Sequence, residues 1–89
     1  MTTPWVIRTT KRFQREIRRL DPVVQRRVTR ELDAVAAMHD PRSRGKALTG
    51  ELRGYWRYRM GDYRVIVDIR DHELCLIALT VGHRSEVYA

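Results

Sequence analysis

Gly54-Tyr55-Trp56-Arg57-Tyr58-Arg59-Met60-Gly61-Asp62-Tyr63-Arg64 decides how this chain folds. Polar and apolar residues alternate through it, and a β-strand sends successive side chains to opposite faces. Tyr55, Arg57 and Arg59 therefore share one face, and Trp56, Tyr58 and Met60 take the other, the natural core face. Gly61-Asp62 reads as a tight turn, so Arg53 to Met60 and a second strand from Tyr63 to Arg70 form an antiparallel hairpin. Tyr63, Val65, Val67 and Ile69 make the apolar face of that second strand. Arg64, Ile66, Asp68 and Arg70 make a mixed one. A face carrying arginines with aromatics beside them suits phosphates and stacked bases.

Asp71-His72 reads as another tight turn, leading to a third strand from Glu73 to Val81. Its run Leu74-Cys75-Leu76-Ile77-Ala78-Leu79 is apolar on both faces, the pattern of a central strand whose second face is also covered, a partner chain being one candidate for the cover. On the N-terminal side, Trp5-Val6-Ile7 is a short β-prone run. Thr9 or Thr10 then offers a hydroxyl to cap a helix with an apolar stripe at Phe13, Ile17 and Leu20. Asp21-Pro22 opens a second helix, since aspartate caps well and proline fits the first helical position. Val24, Val28, Leu32, Val35 and Met38 mark its buried face. Two helices this short cannot enclose a core, so the helical hairpin must lie on the sheet.

Residues 39–52 break the pattern with Asp40-Pro41, Gly45 and Gly50, and Arg42, Arg44 and Lys46 make the segment basic. It reads either as a functional loop or as a flexible connector solvated by its cations. The fold class expected is α+β: an N-terminal strand, a helical hairpin, then a three-stranded antiparallel meander with the helices on one face.

At 89 residues the chain has the length of one small domain, residues 1–89, with one modest core. Lys and Arg number 18 against 11 Asp and Glu, a net charge of +7 that favours a polyanionic partner or an acidic protein. Lys11, Arg12, Arg15, Arg18 and Arg19 crowd the first helix with only Glu16 among them, either as a solvated face or as a nucleic-acid contact. No apolar run approaches the ~20 residues of a membrane span, and Met1 to Ile7 lacks the form of a signal peptide, so a cytoplasmic protein without a membrane partner is expected. Cys75 is alone in an apolar run and reads as a small buried hydrophobe. No Cys/His cluster has metal-ligand spacing, and no cofactor is expected.

The element order, with Leu48-Thr49-Gly50-Glu51-Leu52-Arg53-Gly54-Tyr55-Trp56-Arg57 leading into Gly61-Asp62-Tyr63-Arg64-Val65 and closing on Val81-Gly82-His83-Arg84, resembles the RelE family of bacterial toxins from toxin–antitoxin pairs, over essentially the whole chain. That resemblance implies a ribosome-dependent endoribonuclease that cuts mRNA in the decoding site and is silenced by a cognate antitoxin. It also implies cleavage without metal, the RNA 2′-hydroxyl attacking its neighbouring phosphate. Operator DNA would be met only as a toxin–antitoxin complex.

Carried over position by position, the family's paired basic residues fall on Arg57 and Arg59, where other members have lysines. Its further arginines fall on Arg64 and Arg84, and its base-stacking C-terminal tyrosine on Tyr88. Arginine, with a pKa above ~12, is a poor acid or base. His83, the imidazole within this set, is therefore the candidate for proton transfer, ahead of Glu51 or Glu86. Its alternative is a turn residue, since His83 and Arg84 face opposite ways if the segment stays extended. Trp56 and Tyr58 read as core. The antitoxin is expected to cover the Arg57, Arg59 and Arg64 face or to displace the C-terminal segment. Two other functions stay open: a gyrase inhibitor of the related ParE branch, and a non-catalytic binding module.

Overall fold

The structure is a computed structural model that describes residues 5–84. Strand β1 (Val6–Thr9) runs into helix α1 (Lys11–Arg18) and helix α2 (Pro22–Ala36), followed by β2 (Lys46–Ala47), β3 (Trp56–Met60), β4 (Tyr63–Arg70) and β5 (Cys75–His83). The strands form one sheet in the order β1-β5-β4-β3-β2. β1 lies parallel to β5, and the other neighbours are antiparallel. The architecture is the α+β arrangement expected, with five strands: β1 joins the meander at one edge and β2, unforeseen in the basic segment, at the other.

Both helix starts follow their capping residues. Thr10 accepts from the Phe13 N–H at 3.0 Å, and Asp21 from the Val23 N–H at 2.9 Å with proline just inside. Phe13 from α1 and Val28, Leu32, Val35 and Ala36 from α2 are buried against the sheet. There they meet Tyr58, Met60, Val65, Val67, Ile69, Leu76, Ala78 and Val81, with Trp5 completing the cluster. Helices and core thus occupy one side of the sheet. The other side, the open face, carries the alternate residues.

Two boundaries differ from those expected, the turn after β4 and the start of β3. Residues 71–74 form a 3-10 turn closed by Leu74 in the left-handed region (φ 50°), so β5 starts at Cys75 and runs on to His83. On the other side, β3 begins only at Trp56, because residues 50–52 make a 3-10 turn and the Leu48 N–H bonds the Tyr55 carbonyl at 3.1 Å.

The two-faced apolar pattern of β5 has an internal explanation. Val67 pairs with Ala78 while Ile66 pairs with Thr80, so Leu79 is an extra residue, a β-bulge. The bulge lets Leu76, Ala78 and Val81 all join the core despite the odd spacing. On the open face, Ile66 and Cys75 are already 1% and 3% exposed. The second face is covered as expected, and the chain itself buries these two residues without the partner chain offered as a candidate cover.

Candidate nucleic-acid interface

The register of β3 and β4 assembles the arginines. Arg59 pairs with Arg64, Arg57 with Ile66 and, on its other side, with Lys46 of β2. Directly paired residues share a face. Arg57, Arg59 and Arg64 therefore lie together on the open face, as their alternation with core residues requires, and Lys46 extends the row to the sheet edge. Gly82 sits beside Arg64 on β5 and adds no side chain to that row. Arg57 and Arg64 are half-buried with their Nε atoms shielded from solvent, whereas Arg59 is exposed.

Arg84 follows one residue after β5, its N–H donating to the Asp62 carbonyl at 2.8 Å. That bond continues the register, so alternation assigns position 84 to the side of Gly82 and Arg64. His83 is placed differently. It pairs with Tyr63, which pairs in turn with the buried Met60, and its ring meets Tyr63 edge-on with centroids 5.7 Å apart. The structure thus brings Arg57, Arg59 and Arg64 together and sets His83 at the end of the sheet on the helix side. Glu51 lies beyond the Trp56 end of β3, opposite to the end that carries Arg59. Tyr88 and Glu86 lie outside the described residues.

The basic segment before β3 is fastened to the fold. Trp56 Nε1 donates to the Arg44 carbonyl at 2.6 Å, and the buried Tyr58 hydroxyl donates to the Pro41 carbonyl at 2.7 Å. Arg42 grips Asp71 with two bonds of 2.8 and 2.9 Å, and Arg44 reaches Glu31 of α2 at 3.1 Å. Burial pushes the Tyr58 phenol up to about 12, against the pull of the Arg42 and Arg44 charges. Trp56 and Tyr58 thus belong to the core side, as expected from their alternation. Both use their polar tips to hold the loop.

Gly45 makes this closeness possible: its φ is +81°, and a Cβ there would collide with the Arg57 carbonyl oxygen and come within 2.7 Å of Trp56 Nε1. The resulting hollow, about 240 Å³, is bounded by Arg44, Gly45, Lys46, Arg57, Tyr58 and Arg59. Lys46 is the site residue that sequence reasoning did not single out. The signal available was the basic Arg-Gly-Lys run, but only pairing with β3 gives it a face.

This arrangement suits a chain of phosphates. Two pairs of like charges, Lys46 with Arg57 and Arg59 with Arg64, stand directly opposite each other, which concentrates positive charge on this face. The rows they occupy are two residues apart on β3, about 6.6 Å at the usual strand rise. Guanidinium groups supply fixed forks of donors and a charge that does not titrate. Among the described residues no group of three His, Cys, Asp or Glu is placed to hold a metal ion. None of their helices is long and apolar enough to cross a membrane.

Residues 7–88 match the sequence model of a family described as the ParE toxin of the type II toxin–antitoxin system parDE. Toxin RelG of Mycobacterium tuberculosis is 31% identical over 85 residues, spanning 96% of this chain and 97% of that protein. Among solved structures, the toxin–antitoxin complex RelBE2 from Mycobacterium tuberculosis superposes with a TM-score of 0.83 at 28% identity, over 97% of this chain and 98% of that one. The isolated RelE toxin of E. coli superposes with a TM-score of 0.69 over 94% of this chain and 90% of that one, a likeness of fold at 19% identity.

Proposed function

The chain belongs to the ParE toxin family, within the RelE/ParE superfamily of type II toxin–antitoxin toxins, and from that premise we propose that it is a ribosome-dependent mRNA endoribonuclease. The observation that carries this reading is the set of cations gathered on one open sheet face, with Arg59 opposite Arg64 and Arg57 beside them. In the proposed reaction the RNA 2′-hydroxyl gives its proton to water and attacks the adjacent phosphorus, the P–O5′ bond breaks as a 2′,3′-cyclic phosphate forms, and the departing 5′-oxygen takes a proton from water. Arg57, Arg59 and Arg64 hold the phosphate in line and neutralise the charge that builds on its oxygens, with Arg84 at the adjoining strand end. Lys46 carries the neighbouring phosphate. No metal takes part. Removing one such donor in other enzymes costs about 10²–10³-fold in rate, and that is the scale assigned to Arg64.

Tyr88 is proposed to stack on a base. His83, on the helix side, is assigned no direct contact with the phosphate. The partners proposed are the ribosome with its mRNA and a cognate antitoxin that covers the Arg57, Arg59 and Arg64 face or displaces the C-terminal segment. Operator DNA is reached only within the toxin–antitoxin complex. The site of action is the cytoplasm.

A second reading is favoured by the family match itself, whose description is that of a ParE toxin. On that reading the chain inhibits DNA gyrase and leaves RNA intact. Induction in a bacterium, with primer-extension mapping of a translated mRNA beside Arg64→Ala, separates the two. Cuts within codons that require translation and vanish in Arg64→Ala are expected. Growth arrest with intact mRNA, together with inhibition of supercoiling by the purified chain, would replace the first reading by the second.

A further inference from the structure

Past the end of β1 at Thr9, no strand among the described residues pairs with the outer edge of β5, and α1 takes over. The Thr10 N–H donates to the Ala78 carbonyl at 3.1 Å and its hydroxyl to the Leu79 carbonyl at 2.8 Å. Next comes Glu16: its Oε1 accepts from the Thr80 hydroxyl at 2.6 Å and from the Val81 N–H at 3.0 Å, while its Oε2 accepts from Arg12 at 3.1 Å. A carboxylate so placed satisfies backbone and hydroxyl donors at an edge that would otherwise invite another chain. These contacts bracket the bulge, falling on Ala78 before it, on its extra residue Leu79 and on the two residues after it.

The bulge determines what meets the arginines. Continued without it from the Val67–Ala78 pair, β5 would place Thr80 opposite Val65, Val81 opposite Arg64 and Gly82 opposite Tyr63. Thr80 would enter the core, Val81 would crowd Arg64 on the open face, and the positions of His83 and Arg84 would exchange sides. With the bulge, Val81 is 2% exposed in the core, Gly82 lies beside Arg64, and the position of Arg84 turns to the arginine side. A one-residue change of register flips every side chain that follows it, and bulges re-aim side chains in this way next to sites.

We propose that Glu16 is a positioning residue for the arginine site: by holding Thr80 and Val81 it locks the β5 bulge that brings Gly82 beside Arg64 and turns position 84 to the same face. The inference rests on the proposed RNA-binding role of that face for its functional part, and on β5 register alone for its structural part.

The test is a set of variants of the full chain, Glu16→Ala, Glu16→Gln and Thr80→Val, read by nuclear magnetic resonance and by binding of a single-stranded RNA oligonucleotide. In Glu16→Ala the Val81 amide is expected to exchange about five- to tenfold faster, the scale of one lost hydrogen bond. The cross-strand contacts between Arg64 and Gly82 weaken, and oligonucleotide affinity falls by a similar factor. Glu16→Gln keeps an acceptor for the Val81 N–H and restores most of both. Should Glu16→Ala fail to fold, Thr80→Val, which removes only the hydroxyl bond, carries the test with a smaller change in the same direction. Unaltered Arg64–Gly82 contacts in folded Glu16→Ala, or in Thr80→Val where that variant replaces it, would overturn the proposal. Altered contacts with unchanged oligonucleotide binding would overturn its functional part. Failure of the wild-type chain to cleave mRNA would count against the endoribonuclease reading only, because register and oligonucleotide binding are measured without cleavage.

Discussion

Arg59 and Arg64 stand directly opposite each other across the β3–β4 pair, with Gly82 next in line on β5. Like charges directly opposite each other work against a sheet by roughly 0.2–1 kcal/mol, and in the function proposed above these two are kept for the phosphate they hold. Function and stability should therefore move in opposite directions. Arg59→Ala is expected to leave stability unchanged or raise it within that range in denaturant unfolding. The same substitution should weaken single-stranded RNA binding and lower the dependence of log affinity on log salt by about 1.

His83 pairs with Tyr63 on the side of the buried Met60. A general acid or base contributes about 10²–10⁴-fold. On the placement described, His83→Ala should lower ribosome-dependent cleavage by less than ~10-fold, whereas Arg64→Ala should all but abolish it. Single-turnover rates of the two variants, measured side by side, decide the matter, and a loss of ~10² or more in His83→Ala would return the imidazole to the proton-transfer role.

Gly45 combines a positive φ with a backbone approach that leaves no room for a Cβ. Gly45→Ala should destabilise the chain by about 1–3 kcal/mol in denaturant melts. It should also release β2, so that the Lys46 contribution to RNA binding is lost with it. Lys46→Ala, which removes the charge and leaves the strand, should weaken RNA binding with no comparable loss of stability.

Tyr58 is 1% exposed and its phenol, kept neutral by burial, is pushed up to about 12. A group whose pKa is higher in the folded than in the unfolded chain contributes stability that is present below the unfolded value, near 10, and is lost as pH rises through the folded one. One tyrosine should therefore titrate near 12 by phenolate absorbance and be missing in Tyr58→Phe. That variant also loses the bond to Pro41 and should cost about 1–2 kcal/mol at neutral pH.

Partial burial opposes the charge on Glu16, but the bonds from Thr80, Val81 and Arg12 outweigh it and hold the carboxyl below its ordinary value of 4.5. Glu31 is depressed in the same way, burial being outweighed by Arg27 and Arg44. A depressed carboxyl contributes stability above its unfolded pKa that is lost as pH falls through the folded one. The melting temperature should therefore drop as pH is lowered below 4.5, and the drop should be shallower in the Glu16→Gln, Glu31→Gln double variant.

Local chemistry was readable from the sequence because it needs only neighbours. Thr10 and Asp21-Pro22 cap helices with bonds spanning two or three residues, and the alternation in Trp56–Met60 separates arginines from core whatever the rest of the chain does. Those features determined the α+β class and the common face of Arg57 and Arg59. Arg64 entered as a residue on a mixed strand face, and joins them because the two-residue Gly61-Asp62 turn sets the hairpin register.

The remainder belonged to tertiary structure, since its causes lie far apart in the chain. The basic segment becomes a strand only because Trp56 and Tyr58 hold it and Gly45 lets it approach. Nothing in the apolar run from Leu74 to Leu79 announces an extra residue. The bulge depends on Glu16, 65 positions before Val81, taking up the donors it leaves at the edge of β5. Alternation through that run alone cannot place Gly82, His83 and Arg84 on their faces. A register is settled by burial and hydrogen bonding across strands, and only the folded sheet brings those partners together.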